Sequence, residues 1–208
     1  MNNDSKLLIF DQEFKEKYQV KYLVGIDEAG KGALAGPIFI TGVCFLSDYF
    51  HSLVNDSKLL TKQQRSRLEE EILKQDILYK TVQVQNNKID QMGLNQAIKE
   101  EIAELFNYFQ AKVDNIYFLA DFSPVYNHFD NIPIFNLKKG DQKSFHIAAA
   151  SILAKVSRDR MMTEISKDFP EYNFSQNKGY GTKYHIEQIK KNGYCSHHRK
   201  SFKIKKLS

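Results

Sequence analysis

Four carboxylates stand where apolar segments of the chain end: Asp27 and Glu28 after YLVGI, Asp121 after NIYFLA, and Asp141 after IPIFNLKKG. Acidic residues at the ends of several strands of one sheet converge on one edge. Gathered in a partly dry cleft they would repel one another unless cations neutralised them. Ligands that are all oxygen favour hard ions such as Mg²⁺ or Mn²⁺ over Zn²⁺. Neighbouring residues of a regular strand point to opposite faces, so Asp27 and Glu28 are expected to share a site only where the pleat breaks. The glycine-rich segment GIDEAGKGALAGP, residues 25–37, is expected to supply that break through Gly25, Gly30, Gly32 and Gly36. Taken singly, each aspartate reads equally well as a strand-ending turn former, and the Asp-Glu pair as a tight exposed turn. A dinucleotide fingerprint is excluded, because the chain continues into a strand instead of a helix.

The elements that must position these residues follow from periodicity. Residues 22–27 and 37–46 are apolar, β-branched runs that read as strands, the second opened by a proline. A surface helix capped by Thr61 is expected over 61–75, then a strand over 77–85. After Ile89, the positions Ile98, Ile102, Leu105, Phe106 and Phe109 put one face of a single long helix on the core. Short strands are expected at 116–120 and 132–137. Residues 145–169 read as a helix that opens buried and turns charged and exposed. A last helix over 182–191 ends at Gly193. Strands with helices threaded between them give an α/β class with a mixed central sheet.

Composition narrows the partners. The chain has 208 residues, 42% of them hydrophobic and 26 of them Phe or Tyr, which excludes a disordered chain. No apolar run approaches the roughly 18 residues needed to span a bilayer, and the acidic N-terminal stretch lacks an export signal, so a cytoplasmic protein without a membrane partner is expected. Cys44 and Cys195 give no reason to expect a disulfide. Residues 1–154 carry 17 Lys and Arg against 20 Asp and Glu, whereas residues 155–208 carry 13 against 5. That basic quarter suits a phosphate-rich partner, and would equally solvate a surface helix.

Four blocks together resemble ribonuclease HII: GIDEAGKGALAGP, then NDSKLLT at 55–61, KGDQKSFHIAAASILAKVSRDR at 139–160, and NKGYGTKYHIEQIKKNGYCSHHRKSF at 177–202. The resemblance spans about residues 22–202. It implies a ribonuclease H-like fold: a mixed five-stranded sheet flanked by helices, with a small C-terminal helical extension. The expected divisions are an N-terminal lead segment (1–21), a catalytic domain (22–170) and a basic substrate-binding extension (171–208).

The family's acidic tetrad falls on Asp27, Glu28, Asp121 and Asp141, which would hold two divalent cations, Mg²⁺ or Mn²⁺. The implied activity is endonucleolytic hydrolysis of the RNA strand of RNA/DNA hybrids and cutting on the 5′ side of ribonucleotides embedded in duplex DNA. The ends would be 3′-hydroxyl and 5′-phosphate. The family's Gly-Arg-Gly reader of the 2′-hydroxyl and its sugar-packing tyrosine fall on Gly30, Lys31, Gly32 and Tyr180. Lys31 departs from the usual arginine, and the two are not equivalent.

Lys58 in the DSK block is expected to touch a phosphate, and Lys178 with the basic tail 199–206 to follow the duplex backbone. Arg158 and Asp159 are expected to form an exposed local ion pair. Cys195, His197, His198 and His185 fit no standard zinc pattern. The sister branch, ribonuclease HIII, can carry Gly-Lys-Gly here, but the 21 residues before the first strand leave no room for its N-terminal domain. A silent hybrid-binding protein would not need all four carboxylates, and the Gly-Lys-Gly turn with KGYGT argues against another nuclease or integrase on the same fold. A monomer is expected. The C-terminus lacks an obvious clamp-binding motif, so a sliding-clamp partner has no support from it.

Overall fold

The two most apolar segments make the middle of the sheet. In the computed structural model, which describes residues 3–47, 49, 51, 54, 60–129 and 131–204, β1 (Tyr22–Ala29) pairs antiparallel with β2 (Ile38–Phe45). Every residue of β2 is buried, as suits a strand covered on both faces. β3 (Ile77–Val84) adds antiparallel to β2, while β4 (Ile116–Asp121) and β5 (Ile134–Leu137) add in parallel on the other side, giving the order β3-β2-β1-β4-β5. This is the mixed five-stranded sheet flanked by helices, the ribonuclease H-like fold, that the resemblance implies.

Helices cover both faces. The helix expected after Ile89 is two: α3 (Asn86–Met92) and α4 (Leu94–Gln110), separated at Gly93. α2 (Lys62–Leu73) precedes them and begins with a capping box, Thr61 and Gln64 exchanging side-chain and backbone hydrogen bonds. The five apolar positions of α4 pack on the β1 face that carries Val24 and Ile26. The opposite face meets α5 (Phe145–Asp168). There Gly25 is indispensable: a Cβ on it would lie 2.0 Å from the carbonyl carbon of His146. The lead segment is itself a helix, α1 (Asn3–Tyr18), whose Leu7 and Phe14 are buried and whose Asp11 accepts a hydrogen bond from the His146 backbone at 3.1 Å.

The second half of α5 corrects an expectation. Instead of turning outward, it keeps Arg158, Asp159, Met162 and Ile165 buried. Over it fold α6 (Phe174–Asn177) and α7 (Lys183–Asn192), the latter capped by Thr182, enclosing a cluster of Ala35, Met162, Ile165, Tyr172, Phe174 and Ile189. The extension therefore packs on the loop that follows β1, which brings residues 178–182 and 195–199 to the glycine-rich turn. Both cysteines are free, and among the described residues no helix is long and apolar enough to cross a membrane.

Candidate active site

Parallel pairing aligns two of the four carboxylates. Ile26 stands opposite Ala120, so the following residues, Asp27 and Asp121, lie side by side at the C-terminal ends of β1 and β4. The expected break in the pleat is absent. β1 runs on through Ala29, with Asp27 opposite Thr41 and Glu28 opposite Ile40 of β2. The two neighbouring acids therefore leave opposite faces, Asp27 toward Ser151 of α5 and Glu28 toward Tyr126 and Lys31. They meet electrostatically at the strand edge without any bend. The Glu28 backbone N–H donates to Asp27 Oδ1 at 2.7 Å, and the Gly140 N–H to Asp121 Oδ1 at 2.7 Å. Asp141, itself buried, follows in the single turn Gly140–Gln142, which connects β5 to α5.

The site holds excess negative charge. Burial raises the Asp27 carboxyl well above the ordinary carboxylate range, and Glu28 and Asp121 push it further, against a hydrogen bond from Ser151. Glu28 is raised by burial and by Asp121 and lowered by Lys31, whose ammonium lies 2.9 Å from Glu28 Oε1 and 2.8 Å from Ser123 Oγ. Burial and the same carboxylates push the Tyr126 phenol up strongly. Among the described residues, no three His, Cys, Asp or Glu side chains converge closely enough as they stand to hold a metal ion. In kind the donors do fit a hard divalent cation: all are carboxylate oxygens at one sheet edge, and Lys31 alone does not offset their charge.

Beside the carboxylates lies a braced turn. Two arginines, expected at the surface, are buried beneath it. Arg158 donates from Nε to the Pro37 carbonyl at 3.0 Å and from Nη2 to the Ala35 carbonyl at 3.2 Å. A Cβ on Gly30, where φ is +94°, would meet Arg158 Nε at 1.8 Å, so the turn requires glycine there on both counts. Arg199 donates to the Gly36 carbonyl from Nε and Nη2 at 3.0 and 2.7 Å and to the Lys31 carbonyl from Nη1 at 3.0 Å. It belongs to the framework of the turn and not to a phosphate-binding tail. Asp159 is likewise buried, near Arg65 and Lys155, instead of forming an exposed pair with its neighbour.

Tyr180, 40% exposed, carries its ring 5.3 Å from the Arg158 guanidinium, while Gly32 is open to solvent. Lys178 is tied by its ammonium to the Asp159 carbonyl at 3.2 Å and Thr163 Oγ1 at 2.9 Å. Lys58 lies outside the described residues. The structure thus brings Asp27, Glu28, Asp121, Asp141, Gly30, Lys31, Gly32 and Tyr180 to one region. Sequence reasoning missed the bracing arginines. For Arg158 alone there was a signal, the stripe Ala154, Arg158, Met162, Ile165, whose helical spacing places it among buried apolar neighbours.

A family model described as Ribonuclease HII matches residues 24–205. This chain belongs to the ribonuclease HII family. It is 43% identical over 188 residues to ribonuclease HII of Caldicellulosiruptor saccharolyticus, covering 90% of this chain and 89% of that one. It is 38% identical over 205 residues to ribonuclease HII of Mycoplasma mycoides subsp. mycoides, covering 96% and 95%. Among solved structures it resembles the ribonuclease HII of Archaeoglobus fulgidus described in complex with PCNA, with a TM-score of 0.73, 27% identity, and coverage of 89% of this chain and 96% of that one. Membership of the ribonuclease HII family makes the chain a hydrolase of nucleic acid with ribonuclease H activity.

Proposed function

We propose that this ribonuclease HII cuts the RNA strand of RNA/DNA hybrids and the 5′ side of ribonucleotides embedded in duplex DNA, leaving 3′-hydroxyl and 5′-phosphate ends. The observation that carries the reading is the pairing of β1 with β4, which sets Asp27 beside Asp121 at a buried edge with Glu28 and Asp141 adjoining. These four residues would hold two divalent cations, Mg²⁺ or Mn²⁺, which supply an activated water and stabilise the departing 3′ oxygen. The chain's own groups prepare that state. Ser151 and the Glu28 N–H fix Asp27, Gly140 fixes Asp121, and Lys31, paired with Glu28, stands where its ammonium would also meet a substrate phosphate.

Selectivity rests on the turn 30–36 and on Tyr180. Held rigid by Arg158 and Arg199, the Gly30-Lys31-Gly32 backbone offers its polar groups to a 2′-hydroxyl, the atom that separates RNA from DNA. The Tyr180 ring offers a flat surface to the neighbouring sugar. The test is to incubate the protein with duplex DNA containing one ribonucleotide, with and without Mg²⁺ or Mn²⁺, and to map the cut. A single incision 5′ to the ribonucleotide, dependent on the ion, is expected. Cleavage elsewhere, or in the presence of a chelator, overturns the reading.

A further inference from the structure

Two histidines lie ring to ring beneath Tyr180 and outside the acidic site. His185 Nε2 and His198 Nε2 are 3.0 Å apart, and the outer nitrogens are also engaged: His185 Nδ1 with the Tyr180 carbonyl at 2.9 Å, His198 Nδ1 with the Cys195 backbone N–H at 2.9 Å. The end groups dictate the protons. A carbonyl only accepts, so His185 Nδ1 carries a hydrogen; an amide only donates, so His198 Nδ1 carries none. With both rings neutral, His198 Nε2–H donates to the bare Nε2 of His185. Each end demands the same internal assignment. A second proton on either ring would set two N–H groups against each other or aim one at the Cys195 N–H. Burial and the proximity of His185 bring His198 down to about 4, and burial lowers His185 as well, in keeping with the neutral pair that the end groups require. The same arrangement leaves no nitrogen lone pair for zinc.

The pair connects two pieces of the substrate surface. The Thr182 N–H takes the second lone pair of the Tyr180 carbonyl at 2.8 Å, so this acceptor is fully committed. At the other end, His198 pairs with Ala35, the Gly36 N–H donates to the His197 carbonyl at 2.8 Å, and the Arg199 N–H to the Leu34 carbonyl at 2.8 Å. The Gly179 carbonyl in turn accepts from the Leu34 N–H at 2.8 Å. We propose that His185 and His198 are positioning residues: a one-directional hydrogen-bond relay that locks the Tyr180 backbone to the 34–36 turn and thereby sets preference for a lone ribonucleotide over a long hybrid. The relay's link to selectivity rests on Tyr180 being the junction reader; its tautomers do not.

Two measurements on the full chain test it. Nitrogen-15 spectra of labelled protein at pH 7 should show His185 protonated on Nδ1 and His198 on Nε2; the reverse tautomers, or an imidazolium, overturn the relay. In kinetics, His198→Phe keeps a ring against Tyr172 and Phe174 but cannot donate, whereas His198→Gln retains an N–H donor. The Phe variant should lose about tenfold in the ratio of turnover on a lone ribonucleotide to turnover on a long hybrid, and the Gln variant should recover part of it. A folded Phe variant with an unchanged ratio, or both rates falling together in step with melting temperature, overturns the positioning role. Tyr180→Ala, assayed alongside, separates the two readings: if it leaves the ratio unchanged, the junction reading fails and the link to selectivity is overturned, while the spectra still decide the relay.

Discussion

Asp27 is a carboxylate whose fold works against its charge: it is buried, beside Asp121, and adjacent in sequence to Glu28. Its folded value is raised above the unfolded one, so the native state binds the proton more tightly. Stability therefore falls as pH rises from the unfolded value toward the folded one, and the cost is complete above the folded value. Asp27→Asn removes that cost. In chelator at neutral pH the variant should melt at or above the wild-type temperature, while cleavage at saturating Mg²⁺ or Mn²⁺ should fall by roughly two orders of magnitude or more. A variant that melts lower and retains turnover would show that Asp27 is a structural acid. Lys31→Arg tests the neighbouring cation. The guanidinium can still reach Glu28, so folding should persist, but its planar fork presents donors differently from an ammonium. The expected readout is a shift in the turnover ratio toward the lone ribonucleotide, with little change in melting temperature.

At the level of elements, what was legible in the sequence depended on whether neighbours in sequence were also neighbours in space. The strand ends bearing Asp27 and Asp121 were legible because apolar runs stop sharply there, and α4 because Ile98, Ile102 and Phe109 keep helical spacing. Two kinds of feature were not. The break at Gly93 is a single residue inside a continuous helical pattern. The hydrogen-bond partners of Arg158 and Arg199 are carbonyls over 100 residues distant in sequence, and no local pattern names them. The histidine pair joining α7 to the 195–199 segment is of the same kind, and it has a pH signature. His198 is depressed from 6.5 to about 4, so on acidification the unfolded chain takes up its proton first. The stability it contributes is fully present above about pH 6.5 and is lost as pH falls toward 4, on the order of 3 kcal/mol. The carboxylates Asp27 and Glu28 act in the opposite direction, so the measurement is a difference: denaturant unfolding of wild type and His198→Phe between pH 7 and 4. The two curves should converge as pH falls; parallel curves would mean that His198 is not buried neutral.

Across the whole molecule, the structure divides a basic quarter that looked uniform in sequence. The excess of cations over residues 155–208 includes Arg158 and Arg199, which are buried and direct their hydrogen bonds to backbone carbonyls of the turn. The side chains of Lys200 and Lys203 are exposed, on a segment pinned to α3, where Asp90 accepts from the Lys200 and Ser201 N–H groups at 3.0 and 2.9 Å. Two populations of charge should therefore respond differently to mutation. Replacing Lys200, Lys203, Lys205 and Lys206 together with Gln should weaken hybrid binding and flatten the plot of log affinity against log salt, by up to about 0.9 for each phosphate that is no longer neutralised. The weakening should fall in KM instead of kcat, with the melting temperature nearly unchanged. Arg199→Gln should do the reverse. It strands the Gly36 and Lys31 carbonyls and removes a buried guanidinium, so the melting temperature should drop by several degrees while the salt slope stays where it was. If Arg199→Gln instead lowers the slope without touching stability, the arginine reaches substrate, and the bracing of the turn must come from Arg158 alone.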